Sequence, residues 1–267
     1  MAVPIALTIA GSDSGGGAGI QADLKTFSAL GVYGASVLTA LTAQNTREVR
    51  AILDVDPAFI RAQLETVLDD LRVDAIKIGM LSRPQVIETV AAVLSERVSC
   101  PVVLDPVMVA KSGDRLLQAE AVAALRDVLV PLASVITPNL PEAADLLGIN
   151  EATNEQEMHE VLHALGALGS TCVLLKGGHL VGEQSPDLLL HEGRVERFVA
   201  VRHDTTNTHG TGCTLSSAIT AQLARGQSMT DAVRAAKQYV SAAIAAADDL
   251  GVGSGHGPVH HFYAHWR

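Results

Sequence analysis

The sequence predicts an α/β fold with a doubly wound, mostly parallel central sheet flanked by helices on both faces. Short apolar runs alternate with longer amphipathic segments along the chain, which is the pattern of successive βαβ units. Aromatic residues make up only 3% of the sequence, so aliphatic residues must fill the core. The chain of 267 residues shows no repeat, linker or low-complexity tract. We therefore expect one domain over residues 1–267.

The candidate strands are short and apolar, as expected of strands that are buried on both faces. They are Ile5–Ala10, Ser36–Thr42, Ala75–Ile78, Val102–Leu104, Val135–Ile136 and Val173–Leu175. Two further segments, Leu188–His191 and Arg194–Val201, flank the turn signal Glu192-Gly193. They predict a β-hairpin that runs antiparallel to the other strands.

The amphipathic segments predict the helices, and Pro57, Pro84 and Pro141 stand where a first-turn proline is favoured. The predicted helices are Gly19–Leu30, Pro57–Leu71, Pro84–Ser95, Glu120–Leu129, Pro141–Leu147, Glu155–Leu168, Gly212–Arg225 and Met229–Asp248. The histidine-rich end that follows is predicted to be a frayed, solvated tail and not a metal site. Its histidines are His256, His260, His261 and His265.

Composition excludes several classes of protein. The net charge of −10 argues against nucleic-acid binding through a basic surface. Three widely spaced cysteines predict neither a disulfide framework nor a zinc site. The first residues predict a strand and not a signal peptide, and no apolar run reaches the ~18–20 residues of a membrane span. We expect a cytoplasmic protein with no membrane partner.

The segment 207–213, NTHGTGC, precedes a helix and is the most informative loop. Gly210 and Gly212 allow the backbone to approach an anion, and the amides of Thr211, Gly212 and Cys213 point at it from a helix N-terminus. Such an anion hole suits a phosphoryl group in transfer. Cys213 stands where a thiol pKa is usually lowered, so it could accept a proton from a substrate hydroxyl. The alternative is a purely structural glycine-rich helix start.

The loop 11–23 follows the first strand and contains a run of glycines. It is neither a Walker A loop nor a clean dinucleotide fingerprint, because Ile20 stands where the third glycine is needed. A cradle for a small polar ligand fits better. Asp23 could face that ligand, or it could be only an acid in the first turn of the helix.

Charged residues follow three later strands. Asp105 and Glu142 stand near strand ends, where carboxylates could hold Mg²⁺ directly or through water. Lys176 ends another strand and could neutralise a phosphate. The structural alternatives are a first-turn acid for Glu142 and an ordinary strand-to-loop turn for Lys176.

Seven segments together resemble the ribokinase-like superfamily and, within it, the bacterial hydroxymethylpyrimidine/phosphomethylpyrimidine kinases of thiamin biosynthesis. They are TIAGSDSGGGAGIQADLKT, TALTAQNT, IKIGML, VLDPVM, TPNLPEA, LLKGGH and NTHGTGCTLSSAI. They occur in family order, and the resemblance runs from Ile5 to about Asp248.

The resemblance implies ATP-dependent phosphorylation of 4-amino-5-hydroxymethyl-2-methylpyrimidine and then of its monophosphate, with Mg²⁺ as cofactor and a homodimer as the assembly. It implies substrate contacts at Gly11, Asp23, Gln44, Met80 and Val107. It implies nucleotide contacts at Lys176, Thr208, Thr211 and Gly212, and metal-side acids at Asp105 and Glu142. The implied catalytic group is Cys213, Lys176, Gly210 and Gly212.

One departure from the wider superfamily leaves the base for the first transfer open. Sugar kinases of this fold carry Asp-Thr-x-Gly-Ala-Gly-Asp, whereas Asn207 and Cys213 replace the two acids here. Cysteine at this position is typical of the pyrimidine-kinase branch. The second transfer has a largely ionised phosphate as acceptor, so it needs positioning more than a base.

Three alternatives remain at this point. A pyridoxal or pyridoxine kinase would phosphorylate a similar hydroxymethyl ring. A nicotinamide-dependent oxidoreductase is disfavoured by the broken glycine fingerprint. A non-catalytic sensor is disfavoured by the candidate groups at Asp23, Lys176 and Cys213.

Overall fold

A computed structural model describes residues 2–108 and 119–266. Its ten strands in these ranges are β1 Ile5–Ala10, β2 Tyr33–Leu38, β3 Ala40–Gln44, β4 Val49–Asp54, β5 Ala75–Ile78, β6 Val102–Leu104, β7 Val135–Ile136, β8 Cys172–Lys176, β9 Gln184–His191 and β10 Arg194–Val201. Eight of them form one sheet in the order β10-β9-β8-β7-β6-β5-β1-β2. The pairs from β2 to β8 are parallel.

Helices cover both faces of this sheet, which confirms the predicted fold class. In the same ranges they are α1 Gly19–Ala29, α2 Pro57–Asp70, α3 Pro84–Arg97, α4 Ala119–Ala124, α5 Leu140–Leu147, α6 Glu155–Gly166, α7 Thr211–Ala224 and α8 Met229–Ala245. Helices α2 to α6 share one apolar core with the sheet, while α1, α7 and α8 pack on the opposite face. None of the helices described is both long enough and apolar enough to cross a bilayer.

The predicted strand Ser36–Thr42 is wrong, because the chain changes direction at Thr39. The Thr39 amide donates to the Ala10 carbonyl at the end of β1, and its hydroxyl donates to the Met80 carbonyl over 2.8 Å. Strand β2 therefore ends in the main sheet, and β3 leaves it. The apolar run continues across this corner, so periodicity alone gave no sign of the break.

Strands β3 and β4 form a separate two-stranded antiparallel sheet with an irregularity at Ala43 and Gln44. The sequence analysis missed β4. Its residues are mostly exposed, so it lacks the buried apolar run that identifies the other strands.

The predicted β-hairpin is confirmed. Strands β9 and β10 pair antiparallel, and β9 is also antiparallel to β8. Glu192 and Gly193 have φ values of 50° and 73°, as a two-residue turn between twisted strands requires.

The prediction of a frayed C-terminal tail is wrong. Val259, His260 and His261 are buried, and the Tyr239 hydroxyl donates to the His261 carbonyl over 2.6 Å. This hydrogen bond and one from the His260 amide to the Ala243 carbonyl over 2.9 Å fix the segment against α8, although its composition is typical of a solvated end.

Candidate active site

Several loops meet at the carboxyl edge of the sheet, where open α/β folds bind ligands. The loops after β1, β6, β7 and β8, the end of β3 and the start of α7 line a cleft of about 910 Å³. Twelve residues predicted from the sequence line it: Gly11, Gln44, Met80, Asp105, Val107, Glu142, Lys176, Thr208, Gly210, Thr211, Gly212 and Cys213.

Asp13 organises the first glycine-rich loop. Its carboxylate accepts hydrogen bonds from the amides of Gly15, Gly17 and Ala18 over 2.8, 3.0 and 2.9 Å. Burial alone would raise the pKa of this carboxyl, but His209 and the amides outweigh it and the pKa is lowered. Asp13 is therefore ionised at neutral pH and holds the loop in one conformation.

His209 joins that loop to the loop before α7. Its Nε2 lies 2.8 Å from Asp13 Oδ2 and 3.5 Å from the Gln44 side-chain nitrogen. The Gln44 oxygen in turn accepts from the Thr42 hydroxyl over 3.2 Å. These contacts orient Gln44, the one amide side chain among the expected substrate contacts.

Helix α7 begins at a left-handed glycine. Gly210 has a φ of 77°, and a Cβ added there would collide with the Gly17 carbonyl. The start of α7 thus packs directly on the first loop. A Cβ at Gly212 would lie 3.4 Å from Lys176 Nζ, so the first turn of the helix faces the Lys176 ammonium. Backbone amides and a cation converge on the same part of the cleft.

Lys176 lies between two acids that come from neighbouring strand ends. Its Nζ is 3.0 Å from Asp105 Oδ1 and 3.8 Å from Glu142 Oε2. Burial opposes ionisation of Asp105, but Lys176 and the nearby Lys77 outweigh it and lower the pKa of Asp105. The hydroxyls of Thr137 and Ser216 also donate to Asp105, over 3.1 and 3.3 Å.

Glu142 has two roles in the structure. With Asn139 it forms a capping box at the start of α5, because the Asn139 amide donates to Glu142 Oε2 over 2.8 Å. Burial, together with the Asp105 charge, raises its pKa to about 7. The prediction that Glu142 is an acid in the first turn of a helix is confirmed, and Glu142 also lines the cleft.

The acids fit a Mg²⁺ ion that is shared with phosphates and water. Mg²⁺ is usually held by only one or two carboxylates beside substrate oxygens, and Asp105 and Glu142 supply that number. No group of three or more possible metal ligands occurs among the residues that the structure describes.

The expected lowering of the Cys213 pKa is wrong. Burial raises the pKa of this thiol to about 11, and the charges of Asp23 and Asp105 add to the effect. Lys77 and a backbone amide act in the opposite direction without reversing it. The position at a helix N-terminus is as predicted, but desolvation exceeds the helix effect.

The expectation that Asp23 faces the ligand is also corrected. Its side chain is fully buried beneath the cleft, and both carboxylate oxygens lie within 3.0 Å of Lys77 Nζ. The hydroxyls of Thr8 and Ser217 donate to it over 2.6 Å each. Asp23 balances the buried Lys77 charge, and Lys77 is the member of the pair that lines the cleft.

Comparison with known proteins identifies the family. A family model described as phosphomethylpyrimidine kinase matches residues 13–260. The chain belongs to the phosphomethylpyrimidine kinase family. It is 56% identical to the hydroxymethylpyrimidine/phosphomethylpyrimidine kinase of Escherichia coli over 98% of both chains. It is 52% identical to the thiamine biosynthesis bifunctional protein ThiED of Geobacter sulfurreducens, over 97% of this chain and 52% of that protein.

Solved structures of pyridoxal kinases share the fold of this phosphomethylpyrimidine kinase family member. The ADP complex of the Bacillus subtilis enzyme superposes with a TM-score of 0.92 at 41% identity, over 100% of both chains. The complex of the Staphylococcus aureus enzyme with AMP-PCP and pyridoxal gives a TM-score of 0.88 at 33% identity, over 99% of this chain and 96% of that one.

The sequence analysis missed three polar residues that shape the cleft of this family member. Asp13 and His209 stand inside the quoted segments, but nothing in the sequence indicates that they pair across 196 positions. Lys77 carried a usable signal, because it is a single charge in the otherwise apolar strand β5.

Proposed function

We propose that this protein is an ATP-dependent kinase that phosphorylates 4-amino-5-hydroxymethyl-2-methylpyrimidine and then its monophosphate to the diphosphate, in thiamin biosynthesis. One observation carries the proposal. In a member of the phosphomethylpyrimidine kinase family, a single cleft is lined by the Gln44 side-chain amide, the start of α7 at Thr211–Gly212 and the Lys176 ammonium. Kinase chemistry needs these groups together, because it depends on positioning and charge stabilisation.

The pyrimidine side of the cleft is formed by Gln44, Gly11, Met80 and Val107. The Gln44 side chain offers a donor and an acceptor, which match a ring nitrogen beside an exocyclic amine. Met80 and Val107 supply apolar contacts for the faces and methyl group of the ring.

The phosphate side of the cleft binds the nucleotide through Lys176, Thr208 and the amides of Thr211 and Gly212. The helix start and the ammonium are in place before the reaction, so they stabilise charge as it develops without reorganising. Asp105 and Glu142 would hold Mg²⁺, which neutralises the phosphate charge when it is bound.

The two transfers make different demands on the protein. The first acceptor is an alcohol that must lose a proton, and Cys213 at the start of α7 is the proposed acceptor of that proton. The second acceptor is a phosphate with a second pKa of about 6, so it is already largely ionised near neutral pH. Lys176 and the α7 amides carry that step by positioning and charge neutralisation.

An activity assay tests the proposal directly. The protein is incubated with Mg-ATP and the hydroxymethylpyrimidine, and both phosphorylated products are separated and quantified. Mono- and diphosphate should appear in sequence, and a Lys176→Met variant should make much less of each. Absence of both products with the unmodified protein would refute the proposal.

Pyridoxal kinase is the second candidate activity, and the fold similarity to the two pyridoxal kinases favours testing it. The ratio of kcat/KM for the pyrimidine and for pyridoxal decides which substrate the site discriminates in favour of. We expect the pyrimidine to be preferred.

We further propose that residues 1–267 work as one kinase domain, in a cytoplasmic homodimer. The apolar cross-strand pair Leu41 and Leu53 of the β3–β4 sheet is exposed, as an interface requires. The cysteines are free thiols, which supports the cytoplasmic location. Light scattering should give twice the mass of the chain. A monomeric mass would reject the dimer and leave the activity untouched.

A further inference from the structure

Asn207 uses both ends of its side-chain amide. Its oxygen accepts from the Gly257 amide over 2.9 Å, and its nitrogen donates to Asp248 Oδ1 over 2.7 Å. The Thr205 hydroxyl donates to the same Asp248 oxygen. Asn207 therefore ties the loop before α7 to residues that follow α8 and lie about 40 and 50 positions later.

The segment held by Asn207, residues 254–261, runs beside the loop that carries His209; we refer to it as the C-terminal strap. The His209 amide donates to the Gly257 carbonyl over 3.0 Å, and the Val259 amide donates back to the His209 carbonyl over 3.3 Å. These bonds fix the backbone of His209 on both sides. Its ring is the group that lies against Asp13 and 3.5 Å from the Gln44 side chain.

The beginning of the strap holds the connection between β3 and β4. The His256 amide donates to the Thr46 carbonyl over 2.8 Å, and the Gly255 amide donates to the Thr46 hydroxyl over 3.2 Å. Arg47 Nε donates to the Ser254 hydroxyl over 2.8 Å. One short segment thus contacts the hairpin that presents Gln44 and the loop that leads into the anion-binding helix.

We propose that Asn207 is a positioning residue. Through the C-terminal strap it holds His209 and the β3–β4 hairpin in a fixed relative position, and so sets where the pyrimidine ring lies relative to the start of α7. The proposal rests on the function proposed above, because it takes the ligand beside Gln44 to be the pyrimidine. Asn207 touches neither substrate in this role.

The contacts explain why an amide and not a carboxylate stands at position 207. A carboxylate could still accept from the Gly257 amide, but it could not donate to Asp248. It would instead place two negative charges within hydrogen-bond distance of each other, which is unfavourable for both. The asparagine therefore follows from the presence of Asp248 and from the need to bind the strap.

An isosteric exchange and its rescue test the proposal. Asn207→Asp should raise KM for the hydroxymethylpyrimidine by about 10-fold, the effect of losing one hydrogen bond to a charged partner, while KM for ATP changes by less than about 3-fold, since the strap bonds to His209 and to the hairpin that carries Gln44, on the pyrimidine side of the cleft. Adding Asp248→Asn should restore most of the loss, because the amide it introduces can donate to the new carboxylate.

A neighbouring charge provides the matched control. Asp249 follows Asp248 directly and is exposed, so Asn207→Asp combined with Asp249→Asn should stay as impaired as Asn207→Asp alone. Asp248→Asn alone should behave like the unmodified protein. Equal rises in both KM values, rescue by Asp249→Asn, or no rescue by Asp248→Asn would each overturn the proposal.

Hydrogen exchange gives a readout that does not depend on activity. The amides of Gly257 and Val259 should exchange faster in Asn207→Asp and recover in the rescued variant. If the single variant does not fold, Asp248→Ala removes the same contact without adding charge and should accelerate the same two amides. Unchanged exchange of the Gly257 and Val259 amides in Asp248→Ala would refute the proposed role of the strap. Inactivity of the unmodified protein toward the pyrimidine would refute only the proposed function.

Discussion

Cys213 shows how burial can reverse an expectation drawn from a helix terminus. The sequence places the thiol at the start of α7, where thiolates are usually stabilised. The structure places it over the buried Asp23–Lys77 pair, and its pKa is raised to about 11. Only about one molecule in 10⁴ then carries a thiolate at pH 7, so any base function must be strongly pH-dependent.

Replacing Cys213 by alanine should slow the first phosphorylation by about 10²-fold or more, the scale of a lost general base. The second phosphorylation should suffer less, because its acceptor is already ionised. In the unmodified protein the first step should accelerate as the pH rises from 7 to 9, since the thiolate fraction grows toward a pKa of about 11. Separate rate measurements of the two steps across this range provide the test.

Cys172→Ala is the matched control, because desolvation raises the pKa of the Cys172 thiol to about 11 as well, although Cys172 lies away from the cleft. It packs in the core and should leave the pH dependence unchanged. Equal losses in both steps for Cys213→Ala would indicate a positioning role. No loss at all would leave Cys213 as a packing residue.

Lys77 should matter for stability, because it is the cation that balances Asp23. Lys77→Met leaves a carboxylate buried among hydroxyl groups, and breaking such a pair costs about 3–5 kcal/mol of unfolding free energy. Adding Asp23→Asn should recover part of that loss. Urea denaturation of the single and double variants measures both effects. A cost below about 1 kcal/mol for Lys77→Met would contradict the buried pairing.

At the scale of elements, the start of α7 depends on a close approach that only glycine permits. Gly210→Ala combines an unfavourable positive φ with a collision against the Gly17 carbonyl. We expect kcat/KM to fall by about 10²-fold or more, because displacing a positioned group by about 1 Å has effects of this size. Steady-state kinetics with the pyrimidine substrate provide the measurement.

Gly226, just after the same helix, offers a control with the same strain and no collision. Its φ is 81°, and a Cβ there would meet no atom within 4 Å. Gly226→Ala should cost about 1–2 kcal/mol of stability and leave kcat/KM unchanged. Similar kinetic losses in both variants would show that the backbone conformation matters and that packing on Gly17 does not.

The sequence predicted the elements that carry a clear apolar pattern, and it predicted the mostly exposed strand β10 through the turn signal beside it. Strands β6 and β7 are continuous apolar runs and β5 is interrupted only by Lys77, and the loops at these strand ends bring Asp105, Glu142 and Lys176 together. Strand β4 is exposed and leaves no such run. The pairing of Asp13 with His209 depends on how distant loops pack, which no local pattern records.

At the scale of the whole molecule, the buried C-terminal segment should affect the pH dependence of stability. Burial lowers the pKa of His261 to about 3, below its ordinary value of 6.5. Between these values the unfolded chain binds an extra proton at this site. Stability from this group is therefore present above pH 6.5 and is lost as the pH falls, by up to about 1.4 kcal/mol per pH unit.

Comparison with His261→Gln isolates this contribution. The variant should lose less stability than the unmodified protein when urea denaturation is repeated between pH 6.5 and pH 4.5. The comparison is needed because Glu142, whose pKa is raised to about 7, acts with the opposite sign over this range. Identical slopes for the two proteins would contradict the burial of His261.

The C-terminal strap also has a consequence for the order in which the site is completed during translation. Chains are made from the amino end at about 5–20 residues per second. The loop with Asp13, the hairpin with Gln44 and the helix α7 all leave the ribosome before residues 254–261. A nascent chain that has reached α8 therefore contains every group proposed to bind substrate, but lacks the segment that aligns them. Binding competence should be the last property that the growing chain acquires.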